Sequence, residues 1–393
     1  MGAAGGAGQG GAGASGGAGQ GGAGASGGAG QGGAGAAGGA GQGGAGAAGG
    51  AGGAGGGGGG PALDTVIAMT ADANGLIAGT YHPMSGWLTS PKTDATTEGI
   101  GIAFTDLQAT AVIRSTSSFG ELRYATWTGD WSQFSAIAAG VTTRATPAIA
   151  GAGSAAHVVF HGDNYRHYYA QRQNGVWTTT AEAIGGMATQ SFGPTPASVA
   201  VLGADPIVAF AGDDGELYDQ TRMGGVWQPA DPHGLGDVVD LTPAIVPLVA
   251  AGSELLVVYV QNNTQVRWTV RTGGAWSAPA DIAMALTATP VALTALPGGR
   301  ALLAFRGNNG LLYTSLYDET AAPAWSLPAG ISNPNVAITG IPAVAPGASG
   351  ADAELAYVDA NSVFYHSRLI AGAWSPPAMI STGGTSAALA TGP

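Results

Sequence analysis

The stretch Arg271-Thr272-Gly273-Gly274-Ala275-Trp276-Ser277-Ala278-Pro279 contains the repeat that decides the fold of this chain. A tryptophan in the same local context recurs seven times, at Trp87, Trp131, Trp177, Trp227, Trp276, Trp325 and Trp374. The intervals between them are 44, 46, 50, 49, 49 and 49 residues, and Ser, Thr or Gln follows six of the seven. A fixed period of this length is typical of architectures built from repeated supersecondary units.

Two further markers keep step with the tryptophans. The first is a short apolar run before an Asn/Asp-Gly turn, such as 301–305 before Asn309-Gly310 and 207–210 before Asp214-Gly215. Asn and Asp tolerate positive φ and Gly favours it, so each such segment predicts a strand, a tight turn and a second strand. The second marker is a dipeptide ending in Pro before a run of small residues, at Thr146-Pro147, Thr195-Pro196, Thr242-Pro243, Thr289-Pro290 and Ile341-Pro342. Small side chains suit a strand that is crowded near a central axis.

Each unit is therefore predicted to form four strands, and residues 61–393 divide into seven units of about 48 residues, the length of a propeller blade. The predicted fold is all-β, a seven-bladed β-propeller with four-stranded blades. The first unit begins at its second strand, near Asp64–Thr70, whereas Ser386–Ala390 is an extra inner strand at the other end. We expect this C-terminal strand to pair with the N-terminal blade, close the ring and hide two sheet edges.

Residues 1–60 consist almost entirely of Gly, Ala, Gln and Ser and contain no charged residue. Gln9, Gln20, Gln31 and Gln42 mark a repeat of eleven residues. A segment without apolar surface has nothing to offset the entropy of ordering its backbone. We therefore predict two regions, a disordered low-complexity tether at 1–60 and the propeller at 61–393.

Composition excludes several classes of protein. There is no Cys, so a disulfide framework and a thiolate metal site are ruled out. The net charge of −12 argues against nucleic acid as a partner, and no apolar run reaches the ~18 residues needed for membrane insertion. We expect a secreted or cell-surface protein whose export signal is not part of this chain, which begins in the glycine tract.

Arginine accompanies the tryptophan in several units. Arg172, Arg222 and Arg271 each lie five residues before a repeat tryptophan, and Arg368 lies six before Trp374. With the blade length and the Asn/Asp-Gly turns, this Arg…Trp-Ser/Thr pattern resembles the bacterial and fungal β-propeller lectins that bind fucose and related sugars, over residues 61–393. The resemblance implies sugar pockets between neighbouring blades, lined by aromatic faces and by arginine paired with a carboxylate. The residues it assigns to ligand binding are Arg172, Arg222, Arg271, Arg368, Trp177, Trp227, Trp276, Trp374 and, outside the repeat, Trp268.

The chemistry of these residues suits a sugar, because an aromatic face covers the apolar side of the ring and a guanidinium fork donates to adjacent hydroxyls. A purely structural interpretation stays open beside it. A tryptophan at a fixed blade position also packs between sheets, and the arginines also serve as ion pairs that bridge blades.

We predict a multivalent, lectin-like adhesion module on a flexible tether, with glycans as partners, no cofactor and no metal; homo-oligomer formation stays open. A protein-binding propeller scaffold is the main alternative. A sialidase-like glycan hydrolase is a third hypothesis, but no catalytic motif supports an enzyme. His161 and His167, which flank one predicted hairpin, are the nearest approach to a catalytic or metal-binding pair.

Overall fold

The computed structural model describes residues 65–392, apart from 73–74, 84, 93, 97–98, 107, 117–119, 139, 185–195, 234–238, 240, 249–253, 263 and 333–334. The chain divides into two compact units, 1–40 and 41–393, and all described residues belong to the second. The tether predicted for residues 1–60 lies outside the described residues. Among the described residues every regular element is a β-strand. No helix in this part of the chain is long and apolar enough to cross a membrane.

The strands form seven antiparallel sheets, here called blades I to VII. Blade I contains β1 (Thr65–Asp72), β2 (Gly75–His82) and β3 (Gly86–Lys92). Blade II contains β4 (Ile100–Thr105), β5 (Gln108–Arg114), β6 (Leu122–Trp127) and β7 (Ser135–Ala136). Blade III contains β8 (Ala148–Ala152), β9 (Ala155–His161), β10 (His167–Gln173), β11 (Val176–Trp177) and β12 (Glu182–Ala183). Blade IV contains β13 (Ser198–Leu202), β14 (Asp205–Ala211), β15 (Leu217–Met223), β16 (Val226–Trp227) and β17 (Asp231–Pro232).

The remaining blades follow the same order. Blade V contains β18 (Ala244–Pro247), β19 (Leu255–Gln261), β20 (Gln265–Thr272), β21 (Ala275–Trp276) and β22 (Ala280–Leu286). Blade VI contains β23 (Ala292–Leu296), β24 (Arg300–Arg306), β25 (Leu312–Asp318) and β26 (Ala329–Gly330). Blade VII contains β27 (Ala343–Pro346), β28 (Ala353–Val358), β29 (Val363–Ile370), β30 (Ala373–Trp374) and β31 (Ala378–Thr382). The last strand, β32 (Ala388–Gly392), belongs to blade I.

The innermost strands of blades III to VII follow the Pro-containing markers, as predicted, and every innermost strand lies against the innermost strands of the two neighbouring blades. Small residues permit this approach. A Cβ added at Gly151 would lie 1.7 Å from the backbone oxygen of Phe104 in blade II. The small-residue runs are therefore required by the crowding around the axis of the ring.

The predicted closure of the ring is confirmed. Strand β32 pairs antiparallel with β1, with Ile67 opposite Ala390. The segment before β32 is fixed to the same blade, since the Thr385 amide donates to the Ala71 carbonyl over 2.8 Å. The C-terminal strand thus supplies the inner strand that blade I lacks, and no blade is left open at the ends of the described chain.

Seven apolar clusters hold the ring together, one between each pair of neighbouring blades. Each repeat tryptophan lies in the cluster between its own blade and the preceding one. Trp177, for example, packs in a cluster that joins Val112 and Leu122 of blade II to Val158 and Phe160 of blade III. All seven repeat tryptophans therefore pack between blades, and contact with a ligand would be an additional role.

Candidate functional site

The strand registers define four equivalent positions at each interface between blades. The tryptophan position is occupied by the seven repeat tryptophans. The residue paired with each of them on the third strand of the blade is the arginine position, which holds, from blade I to blade VII, Tyr81, Trp127, Arg172, Arg222, Arg271, Tyr317 and Leu369. Both positions face the preceding blade.

The preceding blade supplies the other two positions. On the third strand of that preceding blade, the residue three before its own arginine position points to the opposite face, because side chains alternate along a strand. It therefore faces the following blade. This opposing position holds Ala78, Tyr124, Tyr169, Asp219, Trp268, Thr314 and His366. Its register partner on the outer strand, the acid position, holds Ser90, Ser135, Glu182, Asp231, Ala280, Ala329 and Ala378.

The interface between blades III and IV has an arginine, a carboxylate and two aromatic rings in direct contact. Arg222 Nε and Nη2 lie 3.1 and 3.0 Å from Glu182 Oε2 of the preceding blade. The guanidinium carbon is 5.1 Å from the centre of the Tyr169 ring, which meets Trp227 edge-on at 5.4 Å. The Arg222 side chain is 21% exposed and that of Glu182 is 41% exposed, so both reach solvent.

A buried histidine supports the tyrosine of this interface. His157 Nδ1 lies 2.8 Å from the Tyr169 hydroxyl, and the two rings are stacked. Burial, with a smaller contribution from the Arg222 charge, lowers the pKa of His157 to about 4. Burial also raises the pKa of Tyr169 well above its usual value. Both groups are therefore neutral near pH 7, and Arg222 and Glu182 are the charged groups of the site.

The interface between blades II and III has the arginine and the aromatic rings but not the carboxylate. Arg172 Nη1 donates to Gln108 Oε1 over 2.7 Å, and its guanidinium carbon is 6.0 Å from the centre of the Tyr124 ring. Tyr124 meets Trp177 edge-on at 5.1 Å. Ser135 stands at the acid position, where the next interface has Glu182.

The interface between blades IV and V is filled by its own side chains. Trp276 Nε1 donates to Asp219 Oδ1 over 2.8 Å, and His233 Nε2 lies 2.8 Å from the same oxygen. The His233 ring lies against the Trp276 ring with centres 4.2 Å apart. Arg271 pairs with Glu254 of its own blade at 3.5 Å. The stacking face that a sugar would use on this tryptophan is thus occupied by histidine.

Arg368 differs from the other three arginines because it lies one residue before the arginine position of blade VII, where Leu369 stands. Alternation therefore turns it to the opposite face, where its guanidinium lies 5.4 Å from the ring of Tyr81 in blade I. Its Nε donates to Glu354 over 3.1 Å and its Nη2 donates to the Ala348 carbonyl. The sequence pattern grouped four arginines, and the structure gives three of them equivalent positions.

The two remaining predicted residues pack against apolar surroundings. Trp268 occupies the opposing position of blade V and meets Tyr317 at 5.5 Å and Trp325 at 6.4 Å. Trp374 packs in the cluster between blades VI and VII, beside Leu369 at the arginine position. Neither interface combines an arginine at the arginine position with an acid.

Sequence reasoning expected a carboxylate beside the arginine but did not identify Glu182, nor the supporting Tyr169 and His157. The signal was an acidic residue four or five positions after the repeat tryptophan, which is found after Trp177, Trp227 and Trp276. To recognise this signal, one must know that the short outer strand with Glu182 pairs with the third strand of its blade, which the repeat alone does not show.

Groups that could hold a metal ion are not gathered in the described part of the propeller. No three His, Asp or Glu residues within it converge as metal ligands. His161 and His167 are both buried, with ring centres 5.2 Å apart, and His167 packs beside Phe210. The seven innermost strands contain no ionisable residue.

Comparison with solved structures places the fold among the β-propeller lectins. The BP39L lectin from Burkholderia pseudomallei is similar with a TM-score of 0.69 and 17% identity, covering 81% of this chain and 96% of that one. AofleA from Arthrobotrys oligospora has a TM-score of 0.52 and 12% identity, covering 75% of this chain and 90% of its own. A fucose-specific lectin from Aleuria aurantia has a TM-score of 0.51 and 12% identity, covering 73% and 96%.

The Aleuria lectin is described as a six-bladed propeller, one blade fewer than this chain has. No protein-family model and no curated protein sequence matches the chain. The comparisons therefore establish the architecture, a ring of blades shared with lectins.

Proposed function

We propose that this protein binds carbohydrate in the interface between blades III and IV, with Arg222, Glu182, Trp227 and Tyr169 as the binding residues. The observation behind the proposal is the Arg222–Glu182 ion pair, which joins blades IV and III beside the edge-on rings of Tyr169 and Trp227. Among the seven interfaces it is the one where the described residues place an arginine at the arginine position in direct contact with the residue at the acid position of the preceding blade.

The pair is arranged to bind two neighbouring hydroxyl groups. Both contacts from Arg222 go to Glu182 Oε2, so Arg222 Nη1 and Glu182 Oε1 keep their hydrogen-bonding capacity. One sugar hydroxyl accepts from the guanidinium and its neighbour donates to the carboxylate, while Trp227 and Tyr169 cover the C–H face of the ring. Charge-assisted hydrogen bonds of this kind are stronger than neutral ones and fix the orientation of the ligand.

Fucose is the first sugar to test, because the Aleuria protein is fucose-specific and the SapL1 lectin, similar with a TM-score of 0.54 at 14% identity, was solved with α-methyl fucoside. Multivalent adhesion on the N-terminal tether, at the cell surface or after secretion, is part of the same proposal. Interface II/III, with Arg172 at the arginine position, is the candidate for an additional site.

Binding of a simple glycan in solution tests the assignment. A glycan array selects the sugar, and calorimetry then compares the parent with Arg222→Ala, Glu182→Gln and the control Arg300→Ala, which lies on another blade. Losing a hydrogen bond to a charged group should weaken binding at this site by about tenfold or more, whereas the control should bind like the parent. Folded Arg222→Ala and Glu182→Gln variants that bind every glycan as tightly as the parent would overturn the proposal.

A further inference from the structure

The interface between blades II and III presents a buried cation without a counter-charge. Arg172 is 9% exposed, and in the described part of the chain no carboxylate lies within ion-pair distance of it. Its equivalents at the next two interfaces, Arg222 and Arg271, each pair with a glutamate. Arginine stays protonated in proteins, so Arg172 cannot relieve this burial by losing its charge.

Two donors of this interface also have no acceptor. Arg172 Nε and Trp177 Nε1 are both buried without a hydrogen-bond partner, and both residues are 9% exposed. A buried donor left unsatisfied costs free energy, and an unpaired buried charge costs more. An acceptor that also brings a negative charge would satisfy the donors and offset the charge together.

The surroundings show what else such a ligand would contact. Tyr124 lies beside Arg172 and Trp177 and is partly exposed, as is Gln108, whereas Ser135 is exposed at the acid position. An aromatic ring, an amide and a hydroxyl suit the C–H face and hydroxyls of a sugar ring. An inorganic anion would leave these groups unused.

We infer that the interface between blades II and III binds a carboxylate-bearing sugar, a uronic acid, with Arg172 holding the carboxylate and Tyr124 and Gln108 contacting the ring. Ser135 decides this preference. At interface III/IV the protein itself supplies a carboxylate, Glu182, that pairs with the arginine, and a neutral sugar binds to this ion pair. At interface II/III a serine stands at the same position, so the carboxylate that pairs with the arginine comes from the ligand. The inference rests on the proposed function only in taking the ligand to be a saccharide.

Matched pairs of ligands test the inference. The methyl glycosides of glucuronic and galacturonic acid are titrated into the full-length protein beside those of glucose and galactose, with sodium acetate as the anion control. The uronides should bind at least about tenfold more tightly than their neutral counterparts and than acetate, and rising ionic strength should weaken them. A parent protein that binds no uronide, or binds acetate as tightly, overturns the inference.

Two variants locate the site. Arg172→Ala should lose uronide binding, and Ser135→Glu, a change at an exposed residue, should lose it by giving Arg172 an internal partner. Arg300→Ala serves as the control. A folded Ser135→Glu or Arg172→Ala variant that binds uronides like the parent refutes the assignment. If the protein binds uronides but no neutral glycan, only the proposal for interface III/IV is refuted. If it binds neutral glycans but no uronide, only the uronide site at interface II/III is refuted.

Discussion

Arg368→Ala should be far more destabilising than the equivalent change at Arg222, although both arginines pair with a glutamate. The Glu354 side chain is 0% exposed and accepts from Arg368, from the Ala348 amide and from His366. Removing Arg368 leaves a buried carboxylate without its arginine, which costs about 3–5 kcal/mol. The pair of Arg222 and Glu182 is only partly buried, so that Arg222→Ala should cost no more than about 1 kcal/mol.

Urea unfolding followed by tryptophan fluorescence measures both values, provided that the dependence on urea concentration keeps the same slope in each variant. A double variant separates charge from packing, since Glu354→Gln on the Arg368→Ala background removes the unpaired charge. The double variant should therefore be more stable than Arg368→Ala alone. An Arg368→Ala variant as stable as Arg222→Ala, or a double variant less stable than Arg368→Ala, would refute a stabilising buried ion pair within blade VII.

Three further predictions concern closure, pH and the tail. Removing residues 386–393 should expose the edge of β1 and cause aggregation or a large loss of stability, and a truncated protein that unfolds at the parent's urea midpoint would contradict the closure. Burial lowers the pKa of His157 from 6.5 to about 4 in the folded protein. Because the unfolded chain then binds this proton more readily, the free energy of unfolding is highest above about pH 6.5 and falls by about 3 kcal/mol as pH drops toward 4. His157→Gln should flatten that part of the pH–stability curve, whereas the exposed control His82→Gln should leave it steep; equal curves for parent and His157→Gln would contradict the assignment. Deleting residues 2–60 should change neither the melting temperature nor glycan affinity, and a loss of several degrees would show that the tail is structural.

The fold was predictable because every element of the period is local. Trp276 and the Gly273-Gly274 turn before it lie within one hairpin, and Thr289-Pro290 leads directly into the next inner strand. Seven copies of such local signals are enough to give the number of blades. Closure was predictable for the same reason, since a unit missing at one end and a spare strand at the other can be read from the sequence.

The site was predictable only in part because it joins residues of different blades. Arg222 meets Glu182, forty residues away on a two-residue strand whose pairing the repeat does not reveal. A shift of one residue was enough to turn Arg368 away from the preceding blade, since neighbouring side chains on a strand face opposite sides. Residue type and approximate spacing therefore identified the arginines, but register decided which of them share a site.

The pairing of Ile67 with Ala390 also sets the order in which the molecule can assemble during synthesis. Blades II to VII each consist of consecutive segments, so their sheets can form as the chain emerges. Blade I has only three of its strands until residues 388–392 are available. Their pairing with β1 closes a loop of more than three hundred residues, which carries a large entropic cost. The slowest and most aggregation-prone stage of biogenesis should therefore be the last one, with the unpaired edge of β1 as the surface that a chaperone has to protect.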